Sequence, residues 1–422
     1  MKKALWRSGC FVVLGILLLT PACLAARKEI TYWTFLDPRD PGPRSAVQNH
    51  AIELFKKQNP DYDVRVEVLQ WDKIASNLII AARAGRGPDL VRVFQPDFQQ
   101  VVAAGALAPL DEFVSSWSPA ERDDWVIPWE ATVVGGHKYG LFWDTRVRHL
   151  WYRKDILDQA GIPVPDSLEA LAQAGQRLAR PGLAGVMVTF SRKYATSFGE
   201  WFLPTLVGAG GQLIDASGAA AFHGPAGEKV FKWLYDLVHT YGAMPRSAVA
   251  MSYEEMYQAF LAGTVVFFNS GSHRVAEARA DSGLGSRLQT APWPGFKSGE
   301  PSPAWTTGWI LAIGAHSSDK PGAWRLMQAF LSPEVQLMSA RIAGEMPSRK
   351  SILRDPWFAS PEASEMRQWL AYASDYPLRA QLPEKWALMF DALAQSAEEM
   401  IVGQVAPKEA LARAAERYNR SR

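Results

Sequence analysis

Cysteine is almost missing from this sequence. Of 422 residues only Cys10 and Cys23 carry a thiol, and both lie in the first 25 positions. The rest of the chain can form neither a disulfide nor a zinc site built on cysteine, and the seven histidines show no ligand spacing. We therefore predict a fold that is stabilised by its hydrophobic cores and needs neither a metal nor a cofactor.

The sequence also lacks an excess of charge of one sign and the common catalytic motifs. Lys and Arg number 45 against 43 Asp and Glu, without a long basic run, which argues against a nucleic-acid partner. Neither a Gly-x-Ser-x-Gly elbow, a phosphate loop, a complete Gly-x-Gly-x-x-Gly fingerprint nor a His-Glu-x-x-His helix occurs. We predict a protein of two or three domains that is not an enzyme.

The amino-terminal segment has the organisation of a secretory signal. A basic stretch at 2–7 precedes an apolar run at 10–19, which is about half the ~20 residues that a spanning helix needs. We predict a signal peptide over residues 1–25, cleaved after Ala25. The alternative is lipidation of Cys23, although Thr, Pro and Ala before it match a lipobox poorly. The protein is thus predicted to be exported, either periplasmic or lipid-anchored to the membrane.

Beyond this segment, strand and helix patterns alternate. Segments typical of strands at 30–35, 64–68 and 90–94 are separated by helical patterns at 47–55 and 71–84. The βαβαβ order predicts an α/β fold with a largely parallel sheet, in which ligands bind beyond the carboxyl ends of the strands.

A second α/β unit is predicted after a crossing at 139–142. There Asp166 and Glu169 indicate a capping box at the start of a helix, and the next strand is expected at 186–190. Beyond residue 361 only helical patterns remain, and two terminal helices are predicted (389–400 and 407–418).

The order of short segments resembles that of the extracellular solute-binding proteins of ABC importers, the sugar-binding family that includes maltose- and trehalose-binding proteins. The resemblance spans nearly the whole mature chain. The matching segments are 32–35 (YWTF), 87–91 (GPDLV), 105–111 (GALAPLD), 139–141 (YGL), 150–155 (LWYRKD), 160–162 (AGI), 210–211 (GG) with Asp215, 259–263 (AFLAG), 308–309 (GW) with 311–313 (LAI), 329–334 (AFLSPE) and 347–349 (PSR).

This resemblance implies the periplasmic-binding-protein (Venus-flytrap) fold, in which two α/β lobes joined by a hinge close around a sugar. It implies lobe 1 from 27–140 plus 291–345, and lobe 2 from 141–290 plus 346–422. The crossings between them would fall near 139–142, 290–294 and 346–350. The implied partners are a small-molecule carbohydrate and the transmembrane subunits of an ABC permease with its cytoplasmic ATPase. The protein itself would be a monomer.

Sugar binding gives a reason for the 17 tryptophans. A pyranose ring has apolar faces that stack on aromatic rings and a rim of hydroxyls that bonds carboxylates, amides or Arg. Trp309, which follows Gly308 and precedes a strand, is the first choice. The other candidates are Trp33, Phe35, Asp37 and Arg39 after the first strand, Trp71 after the second, Gln95 and Asp97 after the third, Trp143 and Asp144 past the first crossing, and Trp201, Trp305 and Arg349 further on.

Two other functions remain open at this stage. Arg39, Arg146 and Arg349 would suit a phosphorylated or other anionic solute, such as a glycerophosphodiester, on the same scaffold. Arg146 stands where the family often has an acidic residue, which leaves the hydroxyl pattern of the sugar open. An exported glycosidase would need two carboxylates ~5 to 10 Å apart.

We expect the exported protein to begin at Ala26 and to contain no cysteine. The intact mass of the protein purified after secretion measures this directly. A mature form that begins with a diacylated Cys23 would contradict the cleavage prediction and identify a lipoprotein.

Overall fold

The computed structural model describes residues 27–189, 192, 196–281, 283–380, 382–383 and 385–421. The predicted signal peptide, with Cys10 and Cys23, lies outside the described residues. In the described part of the chain, none of the helices combines the length and the hydrophobicity needed to span a bilayer.

Strands and helices alternate along the chain. The strands are β1 (Lys28–Thr34), β2 (Tyr62–Val68), β3 (Leu90–Phe94), β4 (Val133–Val134), β5 (His137–Lys138), β6 (Leu141–Phe142), β7 (Asp144–Arg153), β8 (Ala184–Met187), β9 (Val265–Gly271), β10 (Leu288–Pro292), β11 (Thr306–Thr307), β12 (Trp309–Ile313) and β13 (Met346–Pro347). The α-helices are α1 (Pro43–Gln58), α2 (Ile74–Arg83), α3 (Gln95–Ala103), α4 (Asp111–Val114), α5 (Pro119–Asp123), α6 (Lys154–Ala160), α7 (Leu168–Leu178), α8 (Thr196–Gly208), α9 (Pro225–His239), α10 (Tyr253–Leu261), α11 (Val275–Asp281), α12 (Lys320–Phe330), α13 (Pro333–Met338), α14 (Ser364–Asp375), α15 (Trp386–Gly403) and α16 (Pro407–Ser421).

The first lobe is built on a sheet with the strand order β2-β1-β3-β12-β6. β1 pairs in parallel with both β2 and β3, so the predicted parallel βαβαβ unit is confirmed. Every residue of β3 is buried, as expected for a central strand that is covered on both faces. β12 returns from late in the sequence and pairs antiparallel with β3, which sets Trp309 opposite Phe94.

The second lobe is built on a sheet with the order β10-β7-β9-β8, and β11 and β13 also pair with β7. The long strand β7 is therefore the centre of this lobe and carries the chain out of the first lobe. The predicted terminal helices are present as α15 and α16, and buried residues of both belong to the hydrophobic core of this lobe. The α/β class predicted from the sequence is confirmed.

The chain returns to the first sheet later than the crossing expected near 290–294. β10 pairs with β7 in the second sheet as far as Pro292. Trp293 and Trp305 then pack in the core of the second lobe, whereas Trp309 belongs to the core of the first. We therefore propose that the second crossing lies between Trp305 and Trp309. The buried rings of Trp293 and Trp305 keep the segment between these two residues on the second lobe.

The predicted capping box at Asp166 and Glu169 is wrong by one residue. Ser167 is the N-cap of α7, and its hydroxyl accepts a hydrogen bond from the Ala170 N–H at 3.2 Å. Asp166 instead accepts a bond from the Ser298 hydroxyl at 2.6 Å. Ser and Asp are comparable caps, so the pattern alone did not distinguish the two neighbours.

Candidate functional site

A cavity of about 500 Å³ lies between residues of the two lobes. Its volume is in the range of about 300–1,000 Å³ that is usual for small-molecule sites. On the side of the first lobe it is lined by Phe35, which follows β1, by Trp71, which follows β2, and by Phe94 at the end of β3. Trp309, the first residue of the antiparallel strand β12, completes this wall. The carboxyl ends of parallel strands meet at one edge of a sheet, which explains why these residues converge.

The aromatic rings of this wall pack against one another. The Trp309 ring centre lies 4.4 Å from that of Phe35 and 5.2 Å from that of Phe94. Trp71 meets Phe94 edge to face at 6.4 Å. The Trp309 indole N–H has no hydrogen-bond partner among the described residues. The wall therefore offers an apolar surface together with a donor that a ligand can satisfy.

Much of the wall from the second lobe is formed by paired charges. Strand β7 contributes Arg146 and Arg148, and residues of α8, α10 and the turn after β9 contribute the others. Each of these Arg side chains has a carboxylate partner, so both donors and acceptors face the cavity. The ion pairs are Arg146 with Asp144, Arg148 with Glu200, and Arg274 with Glu254 at 2.7 Å.

Arg44 brings a further charge to the cavity from the start of α1. Its Nε lies 2.9 Å from Glu345, which also accepts a hydrogen bond from the Ser339 hydroxyl. The Arg44 guanidinium lies 5.0 Å from the centre of the Phe35 ring. Its Nη2 has no partner in the described part of the chain. Arg44 therefore holds an aromatic wall residue while keeping one donor for a ligand.

His273 is a neutral member of the same wall. The ring follows β9 and is buried, and its Nδ1 lacks a hydrogen-bond partner within the described ranges. Burial, followed by the positive charges of Arg146 and Arg44, holds the pKa of His273 well below its usual range. A neutral imidazole can donate from one nitrogen and accept at the other, which suits a hydroxyl group.

The two walls meet at the junction between Asp144 and Trp309. The Trp309 backbone N–H donates to Asp144 Oδ1 at 2.7 Å, and the Trp143 N–H donates to the Trp309 carbonyl at 2.7 Å. A Cβ at Gly308 would lie 2.2 Å from the Asp144 carbonyl oxygen, so only glycine fits there. Of the residues predicted at this point, Trp309 lines the cavity, while Asp144 and Gly308 position it.

Several predicted site residues lie elsewhere. Trp143 packs in the core of the first lobe, edge to face with Phe330 at 5.2 Å. Trp33, inside β1, also belongs to that core and is buried there. Trp201 is fully buried in the core of the second lobe and donates to the Thr189 carbonyl at 2.6 Å. These rings do not line the cavity.

The predicted charged residues Asp37, Arg39 and Arg349 also lie outside the cavity lining. Arg39 is 89% exposed in its side chain and pairs with Asp37 at 2.8 Å. Arg349 pairs with Asp124 at 2.7 Å, in a contact between the first lobe and the segment that follows β13. Asp37 and Arg39 thus pair with each other, and Arg349 pairs with Asp124, outside the cavity.

The sequence reading missed most of the wall from the second lobe. Glu200, Glu254 and Arg274 come from separate elements, and nothing local in the sequence connects them. One signal was available in β7, where Asp144, Arg146 and Arg148 alternate with other residues and so share one face of the strand.

A second cavity has a volume of about 850 Å³. Gln95 and Trp305, both predicted site residues, line this cavity rather than the first. Its other walls come from the 126–128 segment of the first lobe and from the region around α14. Within the residues that the structure describes, no group of three His, Cys, Asp or Glu side chains is arranged to hold a metal ion.

Comparison with known proteins identifies the family of this chain. The profile of the family described as bacterial extracellular solute-binding protein matches residues 40–337. The chain belongs to this family. A probable ABC transporter-binding protein of Deinococcus radiodurans is 24% identical over 53% of this chain and 54% of its own length. The maltotriose-binding protein of Pyrococcus abyssi is 23% identical over 74% of this chain and 66% of its own length. The chain thus spans about half to two thirds of the length of these relatives.

Solved structures show that the fold is the predicted periplasmic-binding-protein fold. A solute-binding protein of Thermotoga lettingae bound with α-D-tagatose superposes with a TM-score of 0.80 at 22% identity, over 93% of this chain and 99% of the other. The maltose-bound MalE3 of T. maritima superposes with a TM-score of 0.79 at 21% identity, over 93% and 100%.

Asp97, a predicted site residue in the first turn of α3, does not line the first cavity, and it gives the solute-binding protein a testable pH dependence. Burial, with the nearby Asp72 carboxylate, raises the pKa of Asp97 to about 7. The unfolded chain releases this proton near 3.8. The folded state therefore binds more protons between about pH 4 and pH 7, and this carboxyl lowers stability as the pH rises through that range.

At pH 8 we expect the free energy of unfolding of Asp97→Asn to exceed that of the wild type by about 3 kcal/mol. At pH 4 the two should be equally stable. Urea denaturation at both pH values measures the difference. Asp72→Asn should weaken the pH dependence of the wild-type Asp97. A stability difference that is the same at pH 4 and pH 8 would contradict the assignment.

Proposed function

We propose that this protein captures a neutral sugar or oligosaccharide between its lobes and delivers it to the transmembrane permease of an ABC importer. One observation carries the proposal: an aromatic wall that contains Phe35 and Trp309 faces a wall of paired charges across one cavity. This arrangement complements a pyranose, whose faces are apolar and whose rim carries hydroxyls. The maltotriose-binding relative and the tagatose- and maltose-bound structures support the same ligand class.

The pairing of the cavity charges favours a neutral solute over an anion. Of the three Arg residues that suggested an anionic ligand, Arg39 and Arg349 do not line the cavity, and Arg146 pairs with buried Asp144. A phosphate would have to compete with carboxylates that already neutralise the guanidinium groups. Among the described residues, Arg44 Nη2 and Arg146 Nε are guanidinium donors of the cavity that have no partner, and they suit hydroxyl oxygens.

The same pairing supports binding without catalysis. A glycosidase needs one protonated and one ionised carboxyl group on either side of the scissile bond. Glu200 and Glu254 both line the cavity, but each is already engaged in an ion pair with Arg, so neither is a free carboxyl group. Membership in the solute-binding family agrees with this role.

The family also supports an exported location. We propose that the protein acts as a monomer, either free in the periplasm after cleavage at Ala25 or tethered through Cys23. Its partners would then be a carbohydrate and the permease subunits with their cytoplasmic ATPase, and no nucleic acid.

A ligand panel tests the proposal. We expect at least one neutral mono- or oligosaccharide to raise the melting temperature, because a ligand at 100 times its Kd stabilises the native state by about 2.7 kcal/mol. The panel pairs each sugar with its phosphate ester and includes a glycerophosphodiester. Stabilisation by the phosphorylated compounds alone would replace the neutral sugar by an anionic solute.

Trp309→Ala should lose binding beyond its effect on folding. Truncation removes the stacking surface, and we expect affinity for the sugar identified by the panel to fall by about 30- to 1,000-fold. Trp309 also packs in the core of the first lobe, so stability should fall by roughly 3–5 kcal/mol. Calorimetric titration below the melting temperature separates the two effects.

Trp324→Ala is the matched control. Trp324 belongs to the same hydrophobic core but packs against Phe113 and Trp117 and does not line the cavity. We expect a comparable loss of stability with wild-type affinity for the sugar. An equal loss of affinity in both variants would remove Trp309 from the binding surface.

A further inference from the structure

The second cavity differs in chemistry from the first. It is the larger of the two, at about 850 Å³, and its walls are mainly aliphatic. Among its lining residues the one aromatic ring is that of Trp305, which packs against Phe390. The aliphatic lining includes Val126, Ile127, Leu203, Leu370, Leu378 and Leu382. Such walls remove hydrocarbon from water but offer few rings or hydrogen bonds to a second sugar.

Residues that are neighbours in the chain line the two cavities. Phe94 lines the first cavity and the next residue, Gln95, lines the second. One turn of α8 separates Glu200 in the first from Leu203 in the second. Because consecutive Cα atoms are about 3.8 Å apart and one helical turn rises about 5.4 Å, the second cavity lies within reach of a ligand that is longer than one sugar.

Polar side chains interrupt the aliphatic lining of the second cavity. Gln95, the residue after Phe94, has a buried Oε1 that finds no hydrogen-bond partner among the described residues. Lys350, Asp375 and Arg379 also line the cavity and are exposed. The lining thus combines a large aliphatic surface with an unsatisfied buried acceptor, which suits a ligand that has both an apolar chain and a hydroxyl group.

We propose that the natural ligand is an amphiphilic glycoside, with its sugar in the first cavity and a hydrocarbon aglycone or acyl chain in the second. A hydroxyl at the junction would donate to Gln95 Oε1. The inference rests on the proposed function, because it places the sugar end in the cavity formed by Trp309 and the paired charges. It defines the substrate class by the apolar part, which a free sugar lacks.

The test compares methyl and octyl glycosides of glucose, galactose, mannose and maltose, as both anomers and below their micellar concentrations. Calorimetric titration of the whole mature protein gives each Kd. We expect the octyl form to bind at least about tenfold more tightly than the methyl form in one or more series. Equal affinities of the two forms in every series would overturn the inference, while binding of the methyl forms would leave the proposed function standing.

Two variants locate the octyl chain. In Leu370→Asn, which places an amide on the aliphatic wall, we expect the octyl advantage to fall below about threefold while the methyl glycoside keeps its affinity. Ile80→Asn is the control, because Ile80 is 61% exposed on α2 and lines neither cavity. Leu378→Asn repeats the test should Leu370→Asn not fold. An octyl advantage retained by the folded leucine variants would overturn the inference.

Discussion

The buried carboxylate of Asp144 is the constraint on which the site depends. An isolated buried charge is costly, so Asp144 must be held by partners, and the described residues provide two: the Trp309 N–H at 2.7 Å and the Arg146 guanidinium. These bonds fix where the chain leaves the first sheet and where it returns to it. They also direct two side chains into one cavity, with the Arg146 guanidinium 6.0 Å from the centre of the Trp309 ring. The junction between the lobes and the proposed binding surface are thus a single structure.

In the proposed function, this arrangement divides recognition of the sugar between the lobes. The first lobe offers rings at the carboxyl edge of its sheet, and the second offers Arg–carboxylate pairs from β7, α8 and α10. Arg44 adds a charge to the first wall and Tyr253 adds a ring to the second, so a sugar held between them would contact rings and charges from both lobes. A ligand that satisfies both walls binds best when the lobes approach, which gives closure a chemical cause. In our proposal the second, aliphatic cavity would hold a less polar part of the same ligand.

Sequence patterns predicted the first sheet and some of the residues that line the first cavity. The βαβαβ order located the carboxyl edge of the first sheet, and Phe35, Trp71 and Trp309 lie there as expected. Patterns could not separate a ring that faces the cleft from one that faces a core, so Trp33, Trp143 and Trp201 were misplaced. The wall of the second lobe depends on contacts between residues as distant in sequence as Arg148 and Glu200, which only the fold brings together. The chain re-enters the first sheet only after Trp305, because Trp293 and Trp305 pack in the core of the second lobe. Their packing partners are also distant in sequence.

Ligand-driven approach of the lobes is the central claim, and a distance between two spin labels measures it most directly. The sequence after Cys23 contains no cysteine, so Ile80→Cys on the first lobe and Val402→Cys on the second provide unique label sites at side chains that are 61% and 58% exposed. The account predicts that a saturating sugar shortens the distance between the labels, and that Trp309→Ala abolishes the change at the same sugar concentration. A sugar that binds with full affinity while the distance stays the same would contradict the account.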